Sequence, residues 1–182
     1  MPRSARKVIP SVPAHITQRG NNKHNVFIEF EDNSVFMKLL AKYAIKHKTP
    51  IHSFCLMKNH YHIACTPTSE LSLAKLFGQL NWGYSMYHNK KYGKCGHLWQ
   101  ERFYSTQLTG LHFLRAMRYI EMNPVTANLV ESPLDWKWSS AGITCGFEFM
   151  PSWFELPSWW NSYFDCQKWL DYLLEHAEVT VT

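Results

Sequence analysis

Apolar and polar residues alternate from Ala14 to Arg19, and Gly20-Asn21-Asn22 follows as a turn cluster, so a first strand is predicted there. Val26–Phe30 is expected to extend it beyond a loop. Val35, Phe36, Leu39, Leu40, Tyr43 and Ala44 fall at helical spacing and predict an amphipathic helix over about 34–48, capped by Asp32 or Asn33. Pro50 closes that connection. Ile51–Met57 reads as a second strand and His60–Thr66 as a third, joined through Lys58-Asn59 as an antiparallel hairpin and stopped by Pro67. A second long helix is predicted from Glu70 to about Tyr87, its apolar side formed by Leu71, Leu73, Ala74, Phe77, Leu80, Tyr84 and Tyr87. A basic loop with Lys90, Lys91, Gly93 and Gly96 leads to a fourth strand over about 102–108. Leu111–Met122 is a third helix. Asn123 precedes Pro124, and a residue before proline is pushed out of the α region, so that helix is expected to end there. Beyond 125 the pattern is irregular. Residues 145–162 are rich in aromatics and prolines, and Asp165–His176 reads as a last short helix.

The order β-α-β-β-α-β defines an α+β, ferredoxin-like (split βαβ) fold: a four-stranded antiparallel sheet with both helices on one face and the other face open, followed by a C-terminal tyrosine-bearing helix. A length of 182 residues suits one domain. Residues 1–182 therefore divide into a basic arm (1–13), a core (14–140) and an aromatic-rich C-terminal extension (141–182).

Charge narrows the class of partner. The chain carries a formal net charge of +5, and its arm holds Arg3, Arg6 and Lys7 before Pro10 and Pro13. A basic excess with 15% aromatic residues suits a polyanion whose unpaired bases stack on rings. An extended, solvated tail is the plainer reading of the arm. The five cysteines are odd in number and none forms a C-x-x-C pair, which argues against a disulfide framework or a cysteine zinc site. No membrane span or signal peptide is legible, so a cytoplasmic location is expected.

Candidate chemistry centres on His60-Tyr61-His62. Alternate strand residues share a face, so the two imidazoles lie together with Tyr61 opposite. Two neutral imidazoles can hold a divalent metal, although a His pair on a strand is more often solvated or satisfied by its surroundings. Tyr119 and Asn123, four apart, share one face of a helix. A tyrosine hydroxyl, with a free pKa of about 10, becomes a nucleophile at neutral pH when a metal or base helps it ionise. The side-chain oxygen of Asn123 would make a third ligand. The plainer alternatives are a core tyrosine and a helix-capping asparagine.

Three motifs together carry a family resemblance: Met57-x-Asn59-His60-Tyr61-His62, Leu98-Trp99-Gln100-x-Arg102-Phe103, and Tyr119-Ile-Glu-Met-Asn123-Pro124-Val-x-Ala127-x-Leu129-Val130. The first resembles the His-hydrophobic-His motif of HUH endonucleases. The set is most similar to REP-associated tyrosine transposases, relatives of the small insertion-sequence transposases, over about residues 13–140. That resemblance implies the ferredoxin-like fold. It implies Mg²⁺ or Mn²⁺ on His60, His62 and Asn123, with Tyr119 as the nucleophile. It also implies cleavage of single-stranded DNA beside palindromic hairpins, through a 5′-phosphotyrosine link, by a monomer or a homodimer. Arg3, Arg6, Lys7, Arg19, Lys58 and Arg102 are candidate phosphate contacts, and Trp99 and Tyr104 candidate stacking platforms. Two other readings stand beside it. One is a non-catalytic nucleic-acid-binding module in which Tyr61 stacks a base on an open sheet. The other is a metal-dependent hydrolase, which would need a carboxylate or a further histidine near the pair.

Overall fold

The structure, a computed structural model, describes residues 8–175. Arg3, Arg6, Lys7 and His176 lie outside them. Strands β1 (Ala14–Arg19), β2 (Ile51–Met57), β3 (His60–Cys65) and β4 (Tyr104–Gln107) form an antiparallel sheet in the order β2-β3-β1-β4. Helix α1 (Phe30–Lys46) joins β1 to β2, and α2 (Ser72–Tyr92) joins β3 to β4. Both helices pack on the face that carries Ile16, Leu56, Tyr61 and Ile63. This is the expected ferredoxin-like arrangement.

α1 begins earlier than its apolar stripe suggests, because Asp32 is not its cap. Glu29 is the cap, and Asp32 is the third helical residue of a capping box. The Asp32 carboxylate accepts hydrogen bonds from the backbone N–H groups of Ile28 and Glu29, 2.9 Å each. Val26–Phe30 is accordingly not a strand. Val26 and Phe27 donate their N–H groups to the Lys58 carbonyl and bury their side chains in the core. α2 runs on to Tyr92 and stops where Gly93 adopts a left-handed φ of 59°.

Helix α3 spans Leu111–Thr126 and continues through Pro124 instead of ending before it. A proline this close to the C-terminus removes one donor, and the helix closes immediately afterwards. Leu129 N–H bonds the Pro124 carbonyl at 2.9 Å and Asn128 N–H bonds the Val125 carbonyl at 2.8 Å, with Asn128 left-handed at φ 53°. The asparagine that shapes this end is Asn128, so Asn123 stays inside the helix.

The second face of the sheet is not left open. Met117, Ile120 and Met122 of α3 pack on Cys55, Met57 and Ala64, forming a second core. The extension completes it. Beyond a short helix α4 (Ala141–Thr144) and a turn α5 (Trp160–Tyr163), helix α6 (Cys166–Leu174) buries Trp169 and Leu173 against α3. Asp165 starts α6 by accepting the Lys168 N–H at 2.8 Å. The sign in the sequence was the second half of β2: the strand is buried at every position, and Phe54-Cys55-Leu56-Met57 is a continuous apolar run, as a strand covered on both sides gives. What remains accessible on this face is the margin over β1 and β4.

Candidate active site

The register lines up the site in rows. On the α3 face, His62 of β3 sits opposite Thr17 of β1, and Thr17 sits opposite Tyr104 of β4. The neighbouring rows are His60–Arg19 and Ala64–His15–Thr106. Strand phase is held from the other side. Tyr61 is fully buried among Phe36, Phe77 and Trp99, and its hydroxyl donates to Asn81 Oδ1 at 2.9 Å. A one-residue slip would exchange this ring for the imidazoles, so burial of Tyr61 fixes the facing of both histidines. It also removes Tyr61 as a base-stacking platform.

α3 brings the remaining groups. The ring of Tyr119 stands edge-on to His62 at 5.4 Å between centroids and to His15 at 6.0 Å, and it is 51% exposed. Asn123 follows one turn later at a buried position. The helix is fixed in rotation by Glu121, a fully buried carboxylate between the two. Glu121 accepts hydrogen bonds from Ser140 Oγ (2.5 Å), Thr144 Oγ1 (2.9 Å) and Trp169 Nε1 (2.8 Å). Ser140 in turn accepts the Phe54 N–H of β2 at 3.0 Å. Burial pushes the Glu121 carboxyl up to about 7, against the lowering effect of these donors. Arg118 adds a second tie, donating to the Tyr172 and Leu173 carbonyls of α6 at 2.9 Å each.

The histidines are poised to bind through lone pairs. Burial pushes His60 down to about 4 and His62 to about 3; the nearby Arg19 charge adds to both, as do His15 and His60 for His62. Both are therefore neutral at physiological pH. His60 Nδ1 lies 2.6 Å from Asn59 Oδ1, and the Asn59 amide is oriented by donating Nδ2 to the Lys23 carbonyl at 3.1 Å. A carbonyl oxygen only accepts, so the His60 proton sits on Nδ1 and Nε2 carries the lone pair. His62 Nδ1 faces His15 Nε2 at 2.9 Å and Thr17 Oγ1 at 3.2 Å.

Among the described residues no group of three or more His, Cys, Asp or Glu side chains is arranged as a metal cage. A divalent ion here would rest on two imidazoles and an uncharged oxygen. The amide of Asn123, on α3 one turn after Tyr119, has an oxygen of that kind, and such a donor set would leave positions open for water or phosphate. The residues present fit the ion. The further histidine that a hydrolase would require does stand nearby, as His15, but its Nε2 is engaged with His62. Sequence reasoning missed His15, because only the β1–β3 register brings it to the pair.

The other predicted residues separate. Arg19, Arg102 and Tyr104 line one groove of about 680 Å³ that begins at Thr17. Through Gln100, Glu101 and Arg102 it continues into a second groove of about 530 Å³ lined by Trp82, Met86 and Asn89 of α2. Tyr104 and Trp82 are each 68% exposed. Trp82 was also missed, having been read into a helix whose apolar side lies elsewhere. Trp99 packs on Tyr61 and Tyr84, donates Nε1 to the Asn81 carbonyl, and lends only an edge to the second groove. Lys58 stands apart, at the hairpin turn beside Phe30, Trp136 and Trp138.

A ferredoxin-like sheet bearing paired histidines under a tyrosine helix defines the class of single-tyrosine DNA strand transferases. The family model for IS200-like transposases matches residues 9–123, and the chain belongs to that family. It is a transposase, an enzyme that nicks and rejoins DNA. The fold is similar to that of a REP-associated tyrosine transposase solved bound to a REP hairpin, with a TM-score of 0.63 and 16% identity over 86% of this chain and 93% of that one. A candidate transposase from Deinococcus radiodurans R1 aligns at a TM-score of 0.46 and 17% identity, over 65% of this chain and 95% of that one. No curated protein matches the chain.

Proposed function

We propose that the protein cuts and rejoins single-stranded DNA beside a palindromic hairpin through a covalent link to Tyr119. The observation that carries this reading is the placement of Tyr119 against His62 within one chain, 5.4 Å between rings, beside a His60 whose Nδ1 is bonded to Asn59 and whose lone pair is on Nε2. Mg²⁺ or Mn²⁺, held by His60, His62 and Asn123, would supply Lewis acidity toward a non-bridging phosphate oxygen. The half-exposed Tyr119 hydroxyl approaches phosphorus in line with the 3′ oxygen. The Tyr Oη–P bond forms as the P–O3′ bond breaks; the tyrosine proton passes to solvent, and the leaving oxygen takes up a proton to become a free 3′-OH. The phosphotyrosine conserves the bond energy, so attack by another 3′-OH rejoins the strand and releases Tyr119. Because tyrosine and histidines meet in one chain, the reading needs only a monomer. The whole chain, 1–182, acts as the unit, on chromosomal DNA in the cytoplasm.

DNA is taken to run from the site along Arg19, Tyr104 and Arg102 to Trp82, with Arg3, Arg6 and Lys7 as further phosphate contacts from the arm. The alternative of a non-catalytic RNA-recognition-like module loses its main support with Tyr61 buried. The test is a denaturing gel of end-labelled hairpin DNA with single-stranded flanks. Wild type is expected to form a covalent adduct with Mg²⁺ or Mn²⁺ that is lost in EDTA, in Tyr119→Phe, and in His60→Ala/His62→Ala. A mixture of the two variants should also form none. An adduct surviving in Tyr119→Phe would refute the nucleophile, and one restored by the mixture would refute action within one chain.

A further inference from the structure

An imidazole binds a cation at one ring nitrogen only when its proton sits on the other. For His60 the Asn59 amide settles this. For His62 the partner of Nδ1 is another imidazole, His15, and either ring can donate across the 2.9 Å contact. His15 comes from β1, where it faces Ala64 across the sheet; the methyl group there leaves room for the ring to reach His62, 5.1 Å away between centroids. Thr17, two residues on and on the same face, lies 3.2 Å from His62 Nδ1 and 3.5 Å from His15 Nε2. Its hydroxyl oxygen can accept from a protonated His62 Nδ1.

We propose that His15 is a positioning residue: its Nε2 accepts the Nδ1 proton of His62 and so holds His62 in the tautomer whose Nε2 lone pair is offered to the site. This rests on the reading of His60 and His62 as metal ligands. The direction of the bond follows from what binding does to the ring. A cation at His62 Nε2 makes Nδ1–H a stronger donor, so an acceptor behind it strengthens the ligand, as outer-shell partners of metal-bound histidines do. The reverse arrangement, with His15 donating, would put the His62 proton on Nε2 and close that nitrogen to a ligand. The Thr17 hydroxyl oxygen, 3.2 Å from His62 Nδ1, stands as a second acceptor for the same proton. The edge of His15 toward Tyr119 adds a packing wall to the nucleophile, at 6.0 Å.

The experiment uses the full chain and has two readouts. Long-range ¹H–¹⁵N spectra of the metal-free protein report which nitrogen of His62 carries the proton. Titration with Mn²⁺ alone reports affinity. Wild type should show His62 protonated on Nδ1. In His15→Phe/Thr17→Val, which removes both acceptors, His62 should shift to the Nε2–H or a mixed form, and the Mn²⁺ dissociation constant should rise about 10- to 100-fold. His15→Gln, whose side-chain carbonyl can accept, should recover much of the affinity. A wild-type His62 protonated on Nε2 would overturn the proposal. So would a double variant that keeps both the wild-type tautomer and the wild-type affinity. Failure of the underlying reading looks different: His60→Ala/His62→Ala would then bind Mn²⁺ as tightly as wild type, while the metal-free spectra would still decide the role of His15.

Discussion

Two tyrosines show how burial divides residues between structure and chemistry. Tyr61 is enclosed, with its hydroxyl on Asn81 Oδ1, and that amide donates onward to Gln18 Oε1 at 3.4 Å. Tyr119 is half exposed on the margin of α3. Replacing Tyr61 by Phe leaves the Asn81 oxygen without its donor in the core, which should cost about 1–2 kcal/mol in urea unfolding while adduct formation per folded molecule stays intact. Tyr119→Phe should do the opposite, leaving the unfolding midpoint within about 0.5 kcal/mol of wild type and removing the adduct. A Tyr61→Phe protein as stable as wild type would mean that this hydrogen bond does not hold the strand in phase.

At the scale of an element, α3, which carries the proposed nucleophile, is held in place by an acid. Glu121 has its ordinary value of 4.5 raised to about 7 by burial. The folded state therefore keeps a proton that the unfolded chain has released between those values. Stability from this group is full below about 4.5 and is lost as pH rises to about 7, on the order of 3 kcal/mol at most. The histidines work in the opposite sense. With folded values below the ordinary 6.5, His15, His60 and His62 make the fold more stable as pH rises toward 6.5. The Glu121 contribution is thus read as a difference. Urea midpoints of Glu121→Gln should gain on wild type as pH goes from 4.5 to 7, and parallel curves would show that the carboxyl does not titrate in this window. Pro124 teaches a related lesson about α3. A residue before proline disfavours helix, yet the burial of Met122, Asn123 and Pro124 carries the helix one turn further, because tertiary packing outweighs a local preference of a few kcal/mol.

Over the whole molecule, the two grooves make one path from Thr17, beside His62, to Trp82 on α2. Exposed aromatics stand at both parts of it, with Arg19 and Arg102 between. If a single strand follows this path, Trp82→Ala should weaken binding of a hairpin with a single-stranded flank by about 1–3 kcal/mol and leave a flankless hairpin unaffected. Arg102→Gln should lower the salt dependence of flanked-hairpin binding by about one unit of log–log slope. Fluorescence anisotropy across a salt series checks both. Equal losses on the flankless hairpin would place these residues on the duplex instead.

Much of this was legible in the chain alone. Alternation, apolar runs and helical spacing located four strands and three helices, because most of them turn one face toward a core and periodicity records that face, while β2, covered on both sides, shows as an apolar run. The pairing of His60 with His62, and of Tyr119 with Asn123, followed from strand and helix geometry without any tertiary contact. Other features could not be read that way. His15 and Trp82 carry no local signal: one depends on the register between β1 and β3, the other on where α2 faces a groove built from residues 96–102. The covering of the second sheet face by α3, and the role of Trp169 in anchoring it, depended on long-range packing of an extension whose sequence is irregular. Local periodicity specifies the elements and the faces they present. Only the fold decides which faces meet, because contacts between residues far apart in sequence leave no spacing to read.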